Sequence, residues 1–126
     1  AVSLTVYATR ECECCHEYAR YLEALGAKVT VRHVSPTELE RIKRSLGVPE
    51  SMWSCHTAVV GNLNYFIEGH VPGEAIAKLV ADKPPIRGIA LPGMPPGSPG
   101  MPGVKSSLLV VYAVNQNGSQ SIFSTH

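Results

Sequence analysis

No block of basic residues occurs anywhere in this chain of 126 residues, and 11 Lys and Arg against 10 Asp and Glu leave a net charge of +1. That balance argues against nucleic acid or an anionic membrane surface as a partner, since both are held by clustered positive charge. Long apolar runs are missing too. The longest, Leu108 to Val114, falls far short of the roughly 20 residues a spanning helix needs, so no membrane span is expected. No charged-then-apolar segment opens the sequence; a processed chain starting near Ala1 and a cytosolic one would read alike, so this leaves the compartment open. Internal repeats are absent. Hydrophobic content of 44% and charge of 17% fit one folded domain over residues 1–126 with a modest core.

The chain also lacks a second pair of well-separated cysteines. Three of its four cysteines sit within "CECC", at Cys12, Cys14 and Cys15, and Cys55 is the only distant one. A Cys14–Cys15 bridge would be vicinal and would strain the peptide between them. At most one ordinary bridge is easy to draw, which excludes a disulfide-stapled scaffold. Cysteines bunched in this way point to chemistry.

Residues 2–8 alternate, with Val2, Leu4, Val6 and Ala8 on one face, and read as a strand. Past the cysteines, Cys15, Tyr18, Ala19, Leu22 and Leu25 recur at helical spacing up to Gly26. A second strand follows over 28–34. "SPTELERIKRSLG" then predicts a helix: Ser35 caps it, Pro36 fits its first turn, Glu38 completes a capping box and Gly47 stops it. Leu39, Ile42 and Leu46 form its buried stripe, while Arg41, Lys43 and Arg44 read as its solvated face. Thr57–Val60 and Tyr65–Glu68 read as short strands joined by the Gly61–Asn64 turn. A third helix opens at Pro72 and ends near Lys83–Pro84.

The order β-α-β-α-β-β-α is the thioredoxin arrangement. The expected fold is therefore α/β, a thioredoxin-like three-layer domain with a mixed central sheet. To it are added a Pro/Gly/Met-rich loop over 84–105, expected to be irregular and packed on the core, and a C-terminal β-hairpin over 106–124.

In that arrangement the cysteine cluster lies between the first strand and the first helix. Thiols at a helix N-terminus are favoured as thiolates, which are both nucleophiles and soft metal ligands. The loop before the third strand, which faces this cluster, usually ends in a cis-proline. Here it reads "WSCHTAVV" and carries Cys55 and His56 instead. The fold would thus gather all four thiols and an imidazole. Soft ligands suit Cu(I) and Zn(II). A mononuclear zinc site wants four well-spread ligands, a poor match to adjacent Cys14 and Cys15, so thiolates bridging several Cu(I) ions fit the crowding better.

"CECC", "SCHTAVV", "EGHVP" and "PGMPPGSPGM", in that order between Val6 and Met101, resemble the CopG-type family of small thioredoxin-like, copper-associated bacterial proteins. The family pattern usually has glycine between the first two cysteines; Glu13 stands there in this chain. The resemblance implies copper resistance, a periplasmic or otherwise exported location, and a copper cluster held by the CxCC and CH motifs. Carried over, its metal ligands are Cys12, Cys14, Cys15, Cys55 and His56. His16, His70, Met94 and Met101 are candidates for outer or additional ligands. His33 reads as a satisfied, half-buried histidine and Trp53 as a packing residue.

The leading expectation is a protein that holds Cu(I) in a polynuclear thiolate cluster for storage, delivery or copper redox exchange, with copper ions and other copper-handling proteins as partners. No residue is assigned a catalytic role. Two alternatives stay open: a thiol–disulfide oxidoreductase using Cys12 and Cys15, and a mononuclear zinc protein using Cys12, Cys15, Cys55 and His56, with Cys14 a spectator.

Overall fold

The computed structural model describes residues 2–126; Ala1 lies outside the described residues. Among the described residues, seven strands form one mixed sheet with three α-helices. The strands are β1 (Ser3–Ala8), β2 (Lys28–His33), β3 (Thr57–Val60), β4 (Phe66–Glu68), β5 (Ile86–Ala90), β6 (Val110–Asn115) and β7 (Gln120–Thr125). The helices are α1 (Glu13–Ala24), α2 (Pro36–Ser45) and α3 (Gly73–Asp82), with a 3₁₀ turn at Glu50–Met52. The sheet order is β2-β1-β3-β4-β5-β6-β7. β1 runs parallel to β2 and antiparallel to β3. β4 pairs antiparallel with β3 and parallel with β5, and the remaining pairs are antiparallel.

Alternation along the strands divides the interior into two cores. Leu4, Val6, Ala58, Val60, Ile67, Ile89 and Val111 face Tyr18 and Leu22 of α1 and Ala75, Ile76 and Leu79 of α3. Phe66, Ala90 and Val114 point to the opposite face and meet Val48 and Met52. α2 covers that second face beside β3 and β4, where its Lys43 reaches Thr57 and Glu68.

Helix signals in the sequence translate into the expected caps, with exceptions. The Ser35 hydroxyl accepts from Glu38 N at 3.1 Å. The Glu38 carboxylate, however, turns to Arg41 and leaves the reciprocal half of the capping box unmade. Gly26 takes φ +97° after α1, a left-handed conformation glycine adopts at little cost. Leu25, which shares the helical spacing of Tyr18 and Leu22, caps the helix and is 61% exposed.

Two expectations need correction. The first concerns 84–105, where an irregular loop was expected throughout. Residues 86–90 instead form β5, an interior strand hydrogen-bonded on both sides. An interior strand needs no polar alternation, and "IRGIA" hides between Pro84–Pro85 and Pro92–Gly93. Gly88 also has a specific reason, because a Cβ there would stand 2.4 Å from Phe66 O. The second concerns Lys43, placed on the solvated face of α2 but 3% exposed. It lies one helical turn beyond Leu39 on the inward stripe.

Past β5 the chain is irregular from Leu91 to Leu109. It returns over α1: a Cβ at Gly100, where φ is +83°, would sit 2.8 Å from Tyr18 N. Leu91 and Ser98 are buried. Among the described residues, no helix is long and apolar enough to cross a membrane.

Candidate metal site

β1 delivers the chain to a turn in which Cys12 N donates to Thr9 O at 3.2 Å. Cys12 occupies the N-cap of α1 in extended conformation, and Cys14 and Cys15 fall in the first helical turn. All three sulfurs therefore stand at the positive end of the helix dipole. Cys12 and Cys15 are joined by a disulfide; Cys14 and Cys55 are free. Cys14 Sγ lies 3.6 Å from Cys12 Sγ and 3.5 Å from Cys55 Sγ. Cys15 is buried, and its Sγ is 3.7 Å from Cys55 O. All four sulfurs lie within 4.8 Å of one another.

Cys55 reaches the cluster because its loop is clamped from below. Lys43 Nζ spends its three donors on Ser54 O at 3.2 Å, Thr57 Oγ1 at 2.9 Å and the Glu68 carboxylate. Glu68 also accepts from Ser54 N at 2.7 Å and from the Thr57 hydroxyl. Ser54 Oγ donates to Gly93 O at 2.7 Å, and Trp53 Nε1 to Val48 O at 3.0 Å. Ser54 is thus held through its N–H, its carbonyl and its hydroxyl. This network positions the loop that carries Cys55; among the described residues no peptide is cis. Burial pushes the Glu68 carboxyl up, while Lys43 and the Ser54 and Thr57 hydrogen bonds oppose that shift.

Two histidines meet the free thiol. Cys55 Sγ is 3.3 Å from His56 Nδ1 and 3.1 Å from His70 Nε2. His70 Nδ1 lies 2.6 Å from Pro99 O, an atom that can only accept, so Nδ1 carries the proton and Nε2 offers a lone pair to Cys55. A backbone partner that fixes the tautomer in this way is the usual companion of a ligating imidazole. His56 is fully buried, 4.7 Å from the Tyr18 ring and edge-on to His70, and its Nε2 has no hydrogen-bond partner. Burial, followed by the neighbouring His70 and Lys43, pushes the His56 pKa down to about 3. Burial lowers His70 too. Both rings are neutral at physiological pH and keep lone pairs for a metal. Burial and the Cys14 thiol push Cys55 up to about 12, so a soft metal must displace a proton to bind there.

The donor set suits a soft cation: sulfur and neutral imidazole, with no carboxylate among the ligand atoms that cluster. Cys55, His56 and His70 form a second triad of mutually close ligand atoms, sharing Cys55 with the four-sulfur group. The structure thus brings Cys12, Cys14, Cys15, Cys55 and His56 together, and adds His70. It does not bring in His16, whose Nδ1 and Nε2 face Cys12 O and His33. Met94 is 50% exposed. Met101 borders a shallow surface cavity with Glu13, Cys14 and Glu17. Sequence reasoning missed the Lys43–Glu68 clamp, whose one signal was the spacing of Lys43 from Leu39. It also missed Pro99 as the partner of His70, for which the sequence holds no signal.

Comparison with known proteins agrees with this arrangement. Residues 52–101, which include Cys55, His56 and His70, match a family model described as a protein of unknown function, DUF411. A search of curated proteins returned no match. Two solved structures superpose with a TM-score of 0.88 each, both described as copper resistance protein CopG. The one in form 2 is 39% identical, with 99% of this chain and 98% of that chain covered. The one in form 1 is 37% identical, with 99% and 97% covered. With that identity over nearly the whole of both chains, the chain belongs to the CopG family of copper resistance proteins.

Proposed function

We propose that this chain binds copper for copper resistance and holds Cu(I) as its cargo in a polynuclear thiolate cluster. Cys12, Cys14, Cys15 and Cys55 supply the sulfurs, and His56 and His70 supply nitrogens. The observation that carries this reading is the placement of four sulfurs within 4.8 Å of one another. Cys14 Sγ stands between Cys12 and Cys55 at nearly equal distances, as a sulfur shared between ions would. Four sulfurs about 2.3 Å from one tetrahedral ion would stand about 3.8 Å apart, so the choice of copper over zinc rests on family membership.

The Cys12–Cys15 disulfide is the oxidised form of the centre. Opening it takes two electrons and two protons, and metal then displaces protons from the thiols. Family membership supports an exported location and exchange of copper with other copper-handling proteins. Anaerobic titration of the reduced protein with Cu(I) against a competing chelator tests the proposal. More than one Cu(I) per chain is expected, with lower stoichiometry in Cys14→Ser. One copper or none, with all four thiols still open to a thiol reagent, would overturn it.

The disulfide itself favours a second activity, thiol–disulfide exchange at the helix N-terminus. Insulin reduction separates the two readings. An oxidoreductase survives Cys14→Ser and loses activity in Cys12→Ser.

A further inference from the structure

We infer that His16 and His33 form a second metal site at the surface, separate from the cysteine centre and suited to Cu(II). The two residues lie 17 positions apart, yet their Nε2 atoms stand 2.8 Å from each other. Two elements bring them together. His16 projects from the first turns of α1, and His33 ends β2, paired in parallel register with Ala8 at the end of β1.

His16 is preset as a ligand. Its Nδ1 lies 2.7 Å from Cys12 O, an oxygen that can only accept, so Nδ1 carries the hydrogen. The Nε2 of the neutral ring is then a bare lone pair aimed at the Nε2 of His33. A ring nitrogen freed by a backbone carbonyl on the opposite nitrogen is the arrangement that orients metal-bound histidines. His33 is exposed, not half-buried as its alternation with Val29 and Val31 suggested. Without a metal, the two facing nitrogens stand at hydrogen-bond distance.

The separation of the nitrogens is compatible with one coordination geometry without rearrangement. Two metal–nitrogen bonds of about 2.0 Å at a right angle put the nitrogens about 2.8 Å apart, whereas a tetrahedral angle puts them at about 3.3 Å. The observed 2.8 Å, a hydrogen-bond distance in the metal-free protein, also matches the cis edge of a square plane, the geometry of Cu(II) with nitrogen ligands. Cu(II) also stands at the top of the divalent affinity order. Water fills the remaining positions, because the pair lies at the surface with His33 exposed and His16 half-buried, which makes the bound ion exchangeable. The site does not depend on how the cysteine centre is used, and it touches that centre only through the Cys12 carbonyl.

The test uses the full chain carrying Cys14→Ser and Cys55→Ser, which keeps the Cys12–Cys15 disulfide and removes the free thiols that would reduce Cu(II). Circular dichroism checks its fold. Titration with Cu(II), followed by electron paramagnetic resonance, is expected to give one tetragonal signal with hyperfine coupling to two nitrogens. His16→Ala and His33→Ala on this background should each weaken binding at least tenfold and remove one nitrogen coupling. His126→Ala should change neither. His33 is exposed, so its replacement leaves the core intact. Unchanged affinity and spectrum in His33→Ala would overturn the site, as would absence of Cu(II) binding by the folded parent variant. For a parent that does not fold, the same titration runs on the full natural chain with Ni(II), which leaves thiols unoxidised. A tenfold loss in His33→Ala supports the site there, and no loss overturns it.

Discussion

At Cys55 a proton and a metal ion compete for one sulfur, and the surrounding residues determine the terms. Burial and Cys14 hold the proton on the thiol, while neutral His56 and His70 keep lone pairs for a metal beside it. Keeping His56 neutral has a consequence for stability. Its folded pKa of about 3 lies below the ordinary value of 6.5. Below pH 6.5 the unfolded chain therefore binds a proton that the folded chain does not, so stability present above that pH is lost as pH falls toward 3. Burial of His70 acts in the same direction. Urea unfolding of the metal-free protein should lose about 1.4 kcal/mol per pH unit on account of His56 between pH 6 and 4. His56→Gln should flatten that part of the slope; an unchanged slope would show that His56 titrates normally.

Lys43 and Glu68 pose a different question at the same scale. Removing one partner of a buried ion pair leaves the other charge uncompensated, at a cost of roughly 3–5 kcal/mol. Lys43→Met should lower the urea midpoint by that equivalent, and Glu68→Gln in the same chain should restore part of it. A loss under about 1 kcal/mol would mean that the pair does not hold the Ser54–Cys55 loop. The clamp was masked in the sequence because Lys43, though spaced for the inward stripe, stands among charged neighbours on α2, and its partner lies 25 residues away. The four cysteines were legible, because the strand–helix junction and the facing loop follow from element order alone.

Among the elements, the segment from Leu91 to Leu109 has the strongest bearing on the site. It places the Pro99 carbonyl on His70 and Met101 beside Cys14, and its approach to α1 depends on Gly100. A methyl group there would meet the Tyr18 backbone at under 3 Å, in a left-handed conformation that alanine disfavours. Gly100→Ala should therefore lift this segment, release His70 Nδ1 and speed loss of Cu(I) to a chelator, with the sheet retained by circular dichroism. Copper release at the natural rate would show that the segment does not close the site. Its residues looked irregular in sequence and are irregular in the fold. β5 was lost in the same stretch because proline and glycine flank it on both sides, and a strand buried on two faces carries no alternation to betray it. His16 and His33 were equally hidden as a pair: only the parallel register of β1 and β2 brings the end of β2 to the start of α1.

At the scale of the whole molecule, three layers set one functional edge. The α1 and α3 face supplies Tyr18 and the cysteine turn; the α2 face supplies the clamp beneath the Cys55 loop; the returning segment covers His70. Order of elements predicted the first contribution; the second depends on Lys43 lying on the inward stripe of α2. The third required the segment after β5 to fold back, which composition left undetermined. The account as a whole rests on the four sulfurs sharing more than one copper ion. Anomalous scattering at the copper edge, from crystals of the reduced, Cu(I)-loaded protein, measures this directly. The account predicts several separate copper peaks among Cys12, Cys14, Cys15 and Cys55, at least one of them also within reach of His56 or His70. A single peak bound by Cys12, Cys15, Cys55 and His56, with Cys14 unbound, or no copper at the sulfurs at all, would contradict it.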